Sequence, residues 1–395
     1  MAHGVMGHSV MGRHVLFASI PAWGHVHPVL PGFAELVRRG HRVSFVASTS
    51  FAHEVGKVAE VVPYRSPMDG RADVSDMATI LPLMLEETRT SYAALERVVR
   101  DDRPDVIVAD VLAGSGWVLS QVTGIPMVRT WPVFASNSEF SLHQDYSSRP
   151  DDAASMAAFF IEVARFLGEV GLGVSPELFF DNVAEHNIAL YPREIQPRGD
   201  TFDSRFTFVR PCIRPAEHSA DEAWLSAAEP LVAISLGTVF NENLGFFRTC
   251  VDAVGRLGWH AAAAIGGKIR AQDVGPVSDR VLLRSTLPMI DTLRHASVLV
   301  SHGGLTSTLE ALAHGVPVLI APQIGEQRAV ADRVEALGLG ARLPEQFTAE
   351  DVADRIKTLA HDQDVARRIA EFRTKLCGGR PGAEFADAVE LAFPE

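Results

Sequence analysis

The chain has 395 residues, 47% of them apolar and 22% charged, with a formal net charge of −13. That length exceeds what one hydrophobic core usually organises, so two domains are expected, each able to bury a core without metal or disulfide help. The acidic balance argues against nucleic acid as a partner, because phosphate-backbone binding needs Lys/Arg-rich faces; a small diphosphate held by backbone N–H groups stays open. Cys212, Cys250 and Cys377 lie far apart without a CxxC and read as reduced thiols of a cytoplasmic protein. No apolar run reaches the length of a membrane span. Residues 1–12 are Gly/His/Met-rich and read as a disordered extension or a vector remnant rather than a signal peptide.

The first expected strand is the apolar run His14–Ser19, followed by a loop, Ile20–His27. Val29–Arg39 carries Leu30, Phe33, Leu36 and Val37 at helical spacing, and Gly40 closes it. Val43–Ala47 is the next strand. This βαβ opening implies a parallel sheet with a right-handed crossover. Asp105–Ala109 is a buried strand that ends at Asp110; a helix and strand Met127–Arg129 follow. The second half repeats the grammar. Strands are expected at Leu231–Ser235, His260–Ile265, Val281–Leu283, Val298–Val300 and Val318–Ile320. Helices are expected at Phe246–Leu257, Pro288–His295, Gly304–His314 and Gln327–Leu337. Thr123–Val128 and His314–Leu319 echo each other as helix end, glycine, proline and strand; Gly-x-Pro is also common punctuation, so the echo alone leaves a structural repeat open. Pro211–Pro230, with three prolines and no periodicity, reads as the linker.

Several motifs are missing. No GxGxxG turn follows the first strand, no GxxxxGK[ST] loop is present, and there is no GxSxG elbow. Asp362-Gln363-Asp364 is the single Asp-x-Asp triplet and reads as a helix cap. His25-Val26-His27 lacks a third ligand, so no metal site is expected.

The strongest signal is Ser301-His302-Gly303-Gly304-Leu305-Thr306-Ser307-Thr308-Leu309-Glu310. A buried strand delivers His302 at its carboxyl end. Two glycines admit a ligand to the backbone, and the hydroxyl residues open a helix whose first N–H groups have no internal partner. That is an anion site, at the strand end where ligands collect in open α/β sheets. Glu310, read as first-turn, is placed to accept ribose hydroxyls. His25, after the first strand, and Asp110, at the end of another, would face one cleft, where a histidine paired with a carboxylate suits deprotonation of a hydroxyl.

His302–Glu310 resembles the donor-binding signature of family 1 glycosyltransferases. Three further motifs match in family order: Gly24-His25-Val26-His27-Pro28, Ser235-Leu236-Gly237-Thr238, and Pro322-Gln323-Ile324-Gly325-Glu326-Gln327. The chain is most similar in these motifs to bacterial macrolide and enediyne (calicheamicin-type) enzymes. The resemblance implies an α/β GT-B fold of two Rossmann-like, doubly wound domains facing across a cleft. Residues 13–212 would bind the acceptor, 213–230 link, and 231–380 bind the nucleotide sugar; 381–395 form a helix that packs back on the first domain. It implies His25 as general base with Asp110 beside it. Ser235, Thr238, His302, Gly303, Gly304, Thr306, Ser307 and Glu310 would hold the nucleotide and its phosphates, and Glu326 and Gln327 the sugar. The family commonly has Trp two residues before the proline of its nucleobase-binding turn and Gln after it. Thr286 and Met289 stand there in this chain, so the nucleobase is left to backbone groups of Leu287 and apolar contact. Acceptor contacts are sought at Met84, Trp131, Phe134 and Phe140.

The expected activity is an inverting transfer from a TDP-deoxysugar to a hydroxyl of a hydrophobic natural product, without resident cofactor or membrane partner and compatible with a homodimer. The alternatives are a UDP-glucose enzyme that inactivates macrolides, a GT-B nucleotide-sugar epimerase, and a non-catalytic binder of nucleotide sugars.

Overall fold

The computed structural model describes residues 12–69, 77–146, 150–216, 221–238 and 241–394. The expected extension falls almost wholly outside the described residues.

The first sheet is built from β1 (His14–Ala18), β2 (Arg42–Ser48), β3 (Glu60–Tyr64), β4 (Val106–Asp110), β5 (Met127–Trp131), β6 (His186–Ala189) and β7 (Phe206–Phe208). The second is built from β8 (Leu231–Ser235), β9 (His260–Ala264), β10 (Val281–Arg284), β11 (Ala296–Ser301), β12 (Val318–Ile320) and β13 (Gly340–Arg342). The orders are β3-β2-β1-β4-β5-β6-β7 and β10-β9-β8-β11-β12-β13, and every pairing is parallel. Numbered from its own first strand, each sheet runs 3-2-1-4-5-6, the doubly wound order. The two echo segments occupy the same place in this order. Gly124 (φ 67°) and Gly315 (φ 83°) each turn the chain from the fourth crossover helix into the fifth strand.

The strands read as nearly continuous apolar runs because helices cover both faces of each sheet. In β1, Val15 and Phe17 point into one layer with Phe33 and Phe45, while Leu16 and Ala18 point into the other with Leu81 and Trp117. The C-terminal helix Pro381–Glu390 lies on the first of these layers. Phe385 stands edge-on to Phe33, with ring centroids 5.3 Å apart. Its ring covers Gly32 so closely that an added Cβ would come within 2.2 Å of Phe385 Cδ1. Arg39 reaches Asp387 and Glu390 at 2.6 and 2.9 Å. The helix closes the second half of the chain onto the first domain.

Three expectations need correction. Ile20–His27 is not an open loop: Trp23–Val26 is a helical turn that runs into a 3-10 turn, His27–Val29. The segment read as a linker without periodicity contains the helix Glu222–Ala227, whose Leu225 is buried with Leu231, Ala262 and Leu282. Strands β3, β6, β7 and β13 are unforeseen; they are short, and carry Pro63, Asn187, Thr207 or Gly340 where an apolar run would give them away.

Candidate active site

Asp110 ends β4 and Trp23–Val26 follows β1, its neighbour in the sheet. Parallel strands release both at one edge. His25 Nδ1 lies 2.9 Å from Asp110 Oδ2. The other carboxylate oxygen accepts the Leu112 N–H at 2.8 Å, which fixes the carboxylate plane. Buried Arg129 supports the same turn through Nη2 to the Val111 carbonyl at 2.7 Å. The Asp110 side chain is fully buried and that of His25 is 12% exposed. A carboxylate acceptor requires the proton on Nδ1 and leaves the Nε2 lone pair as the basic position.

Burial disfavours the His25 cation, but the Asp110 charge, the Asp110 hydrogen bond and the Glu326 charge outweigh it and raise its pKa. Glu326 comes from the other domain. Burial raises its pKa, the His25 charge opposes that, and the Asp110 charge adds to it. The three groups form one electrostatic unit across the cleft. With His25 as the proposed base its neutral form is the active one, so kcat/KM is expected to be lost as pH falls through a pKa above the ordinary 6.5. Asp110→Asn removes the charge that raises this pKa, so the acid limb of the pH–rate profile moves to lower pH while its plateau drops. An acid limb unmoved in Asp110→Asn would contradict the pairing.

The anion site is built by two adjacent strands. Ser235 and Ser301 are register partners at the ends of β8 and β11. Each hydroxyl accepts an N–H two residues on, from Gly237 at 3.1 Å and Gly303 at 3.2 Å, and so holds its turn. The His302 ring lies in a slot between two glycines. A Cβ at Gly237 would stand 2.7 Å from His302 Cε1, and one at Gly304 2.7 Å from His302 Nε2. Burial pushes His302 down to about 4, with the Ser235 backbone opposing, so the imidazole is neutral near pH 7. A neutral imidazole offers an anion a hydrogen-bond donor, not a cation. Gly303 has φ 89°, and a Cβ there would press to 2.6 Å from Ile320 Cγ2.

Gly304 is the N-cap of helix Leu305–Ala313, and no side chain caps that end. Thr306 meets the first domain: a Cβ on Gly24 would stand 3.6 Å from Thr306 Oγ1. The turn that carries His25 therefore lies close to the start of helix Leu305–Ala313 across the cleft. Ser307 is half-buried on this first turn and Thr238 is exposed. Glu310 is the sixth residue of the helix, so it belongs to the second turn and not the first. It shares a face with Thr306 and Ser307 by i+4 and i+3 spacing. Its carboxylate is taken by Arg214, which sequence reading missed. Nothing local marks Arg214 within Ile213-Arg214-Pro215; its partner is 96 residues away.

Glu326 and Gln327 open helix Gly325–Leu337. Gln327 is 5% exposed, and its Oε1 accepts the N–H groups of Gln323 at 2.7 Å and Ile324 at 3.3 Å. Its carbonyl holds the turn. The first-domain helix Leu142–Tyr146 seals this end: Arg328 Nη2 donates to the Tyr146 carbonyl at 2.9 Å, and Tyr146 Oη bonds Asp332 at 3.2 Å. Leu287 is half-buried against the Leu225–Leu282 cluster and Thr286 is exposed.

The four acceptor candidates part company. Trp131 (2% exposed) donates Nε1–H to Asn187 at 3.2 Å, and Phe134 (1%) packs edge-on to Tyr191; both belong to a core shared by the two domains. Their named partners, Asn187, Phe206 and Tyr191, are first-domain residues, so both rings are buried in packing rather than exposed on an acceptor surface. Met84 is buried on helix Met77–Asp101. Phe140 lines a polar pocket with Ser136, Asn137 and Gln144. Asp362 Oδ1 accepts the N–H groups of Asp364 and Val365 at 2.9 and 3.0 Å, the expected helix cap.

Comparison with known proteins agrees with this fold. Residues 248–388 match the family model described as "Erythromycin biosynthesis protein CIII-like, C-terminal domain". The chain is 33% identical to demethyllactenocin mycarosyltransferase of Streptomyces fradiae, over 95% of this chain and 86% of that one. Among solved structures it is similar to the calicheamicin glycosyltransferase CalG4, with TM-score 0.79, 32% identity, and 96% and 98% of the two chains covered. It is also similar to the kitacinnamycin glycosyltransferase, with TM-score 0.84, 31% identity, and 97% and 100% covered. The chain is a glycosyltransferase of family 1 with the GT-B fold, related to enzymes of macrolide and enediyne antibiotic pathways.

Proposed function

We propose that this glycosyltransferase moves a deoxysugar from a thymidine diphosphate donor to a hydroxyl of a hydrophobic natural-product acceptor, with inversion at the anomeric carbon. The observation that carries the reading is the buried His25–Asp110 pair, with Glu326 of the facing domain in its field and the uncapped helix N-terminus close by: a Cβ on Gly24 would stand 3.6 Å from Thr306 Oγ1. His25 Nε2 takes the acceptor O–H proton. The acceptor oxygen bonds the anomeric carbon while the bond from that carbon to the diphosphate oxygen breaks on the opposite face. The nucleoside diphosphate leaves with its charge against the N–H groups of helix Leu305–Ala313 and the neutral His302. Asp110 stabilises the imidazolium formed. Glu326, beside His25, is the group for sugar hydroxyls. The nucleotide sugar is a co-substrate, and the reading needs no resident cofactor. The antibiotic names of the similar proteins support a natural-product acceptor.

A thermal-shift titration with TDP, UDP, ADP and NADH tests the donor. Stabilisation grows as RT ln(1 + [L]/Kd), about 2.7 kcal/mol at a hundredfold excess over Kd. TDP is expected to give a dose-dependent rise larger than that of UDP, and NADH none. A rise with UDP alone would replace this reading with the glucose-transferring one. A flat response to both would remove the nucleotide site from His302–Glu310.

A further inference from the structure

Arg214 belongs to the segment that follows the first sheet and leads to the second. Its guanidinium forks onto helix Leu305–Ala313, with Nε 2.7 Å from Glu310 Oε1 and Nη2 2.9 Å from Glu310 Oε2. The Glu310 side chain is 2% exposed and that of Arg214 36%, so the guanidinium is the cover over the carboxylate. The Arg214 charge also lowers the His27 pKa, second to burial. Arg214 thus covers Glu310 from the segment between the two sheets, at the carboxylate assigned to the donor's ribose.

We propose that Arg214 is a positioning residue that makes the donor site select a 2′-deoxyribonucleotide, by holding Glu310 so that it accepts one sugar hydroxyl and not a vicinal diol. The inference rests on the nucleotide reading of this site. A carboxylate offers about four lone-pair positions on its two oxygens. A diol is best received with one hydroxyl on each oxygen along the shared edge, and the Arg214 fork occupies that edge. What remains is one outer position on each oxygen, pointing apart, which suits a single 3′-hydroxyl. A 2′-hydroxyl beside it would be taken from water without an acceptor. Displacing Arg214 is no remedy, because that leaves a buried carboxylate without its cation. The expected penalty on a 2′-hydroxyl is about tenfold in affinity.

Calorimetric titration of UDP, dUDP and TDP tests the proposal on the full chain and on Arg214→Lys and Arg214→Gln. UDP and dUDP differ only in the 2′-hydroxyl; dUDP and TDP differ only in the nucleobase methyl. The unmodified enzyme is expected to bind dUDP about tenfold more tightly than UDP. Lysine keeps the cation but not the fork, and glutamine removes both charge and fork. Both variants are expected to bring the UDP/dUDP ratio to about two or below, with the TDP/dUDP ratio unchanged. Melting curves confirm that each variant is folded, and Arg214→Lys decides the matter where Arg214→Gln is not. A UDP/dUDP ratio near one in the unmodified enzyme, or a ratio that survives both substitutions, overturns the role of Arg214 while leaving the nucleotide site standing. No binding of any of the three to the unmodified enzyme overturns the nucleotide reading and this inference with it.

Discussion

His25→Ala is expected to lower kcat by about a hundredfold to ten-thousandfold, the range that a positioned general base contributes, or roughly 3–5 kcal/mol of barrier. The affinity for TDP should change by less than about threefold, because the diphosphate is held by the other domain. The reason lies in the pairing. His25 Nδ1 donates to a fully buried Asp110 carboxylate, so the ring has one tautomer and one orientation, with Nε2 as its basic atom. The cation formed during transfer is met by Asp110 and Glu326, whose charges raise the His25 pKa against burial. Because the pair acts as a unit, adding Asp110→Ala to His25→Ala should cost little more, far less than the sum of the single losses. Single-turnover kinetics with saturating donor measures this. Transfer at the unmodified rate in His25→Ala would remove the general-base assignment.

Gly304→Ala is expected to weaken TDP binding by at least about thirtyfold, roughly 2 kcal/mol, with a smaller change in melting temperature than Gly303→Ala. Gly304 has φ −61° and ψ 132°, a conformation alanine adopts freely, so the backbone is not strained by the change. What the methyl meets is the His302 ring, 2.7 Å from Nε2 and 3.1 Å from Cε1. The ring cannot retreat, because Gly237 closes the slot on its other side. His302 must leave the anion site, and the methyl also occupies the uncapped helix end. Gly303→Ala differs in kind: a φ of 89° and a 2.6 Å approach to Ile320 Cγ2 put strain into the strand end itself. Titration calorimetry and melting curves on the two variants separate the effects. Equal TDP affinity in Gly304→Ala and the unmodified enzyme would mean that His302 does not line the phosphate site.

Much of this site is legible from local chemistry. The Ser301–Glu310 segment announces itself as strand end, glycine pair and uncapped helix start, because each feature is set by residues within a few positions of one another. The apolar runs of β1, β4, β8 and β11 are readable for the same kind of reason: a strand covered on both faces has no place for a polar residue. Helix Leu30–Arg38 is readable from a single buried stripe that carries Phe33 and Leu36. The short turn at Trp23–Val26 is not, since one helical turn has no periodicity to detect. Strand β13 has only three residues, and β3, though as long as β1, is interrupted by Pro63 and opens on Glu60.

What the sequence determined by itself is the α/β class, the doubly wound order implied by βαβ units, and the residue types of the proposed anion site and general base. These depend on backbone geometry, burial pattern and intrinsic side-chain chemistry, all expressed over short stretches. Only the tertiary structure decided which groups meet. It set His25 on Asp110 across 85 residues, Arg214 on Glu310 across 96, the His302 ring between Gly237 and Gly304, and Phe385 over Gly32. It also turned Trp131 and Phe134 inward. An aromatic ring carries the same apolar surface whether it faces a ligand or a neighbouring domain, and only the packed neighbours settle which. Contacts between distant segments depend on how the two sheets present their carboxyl ends to each other, and no local pattern encodes that.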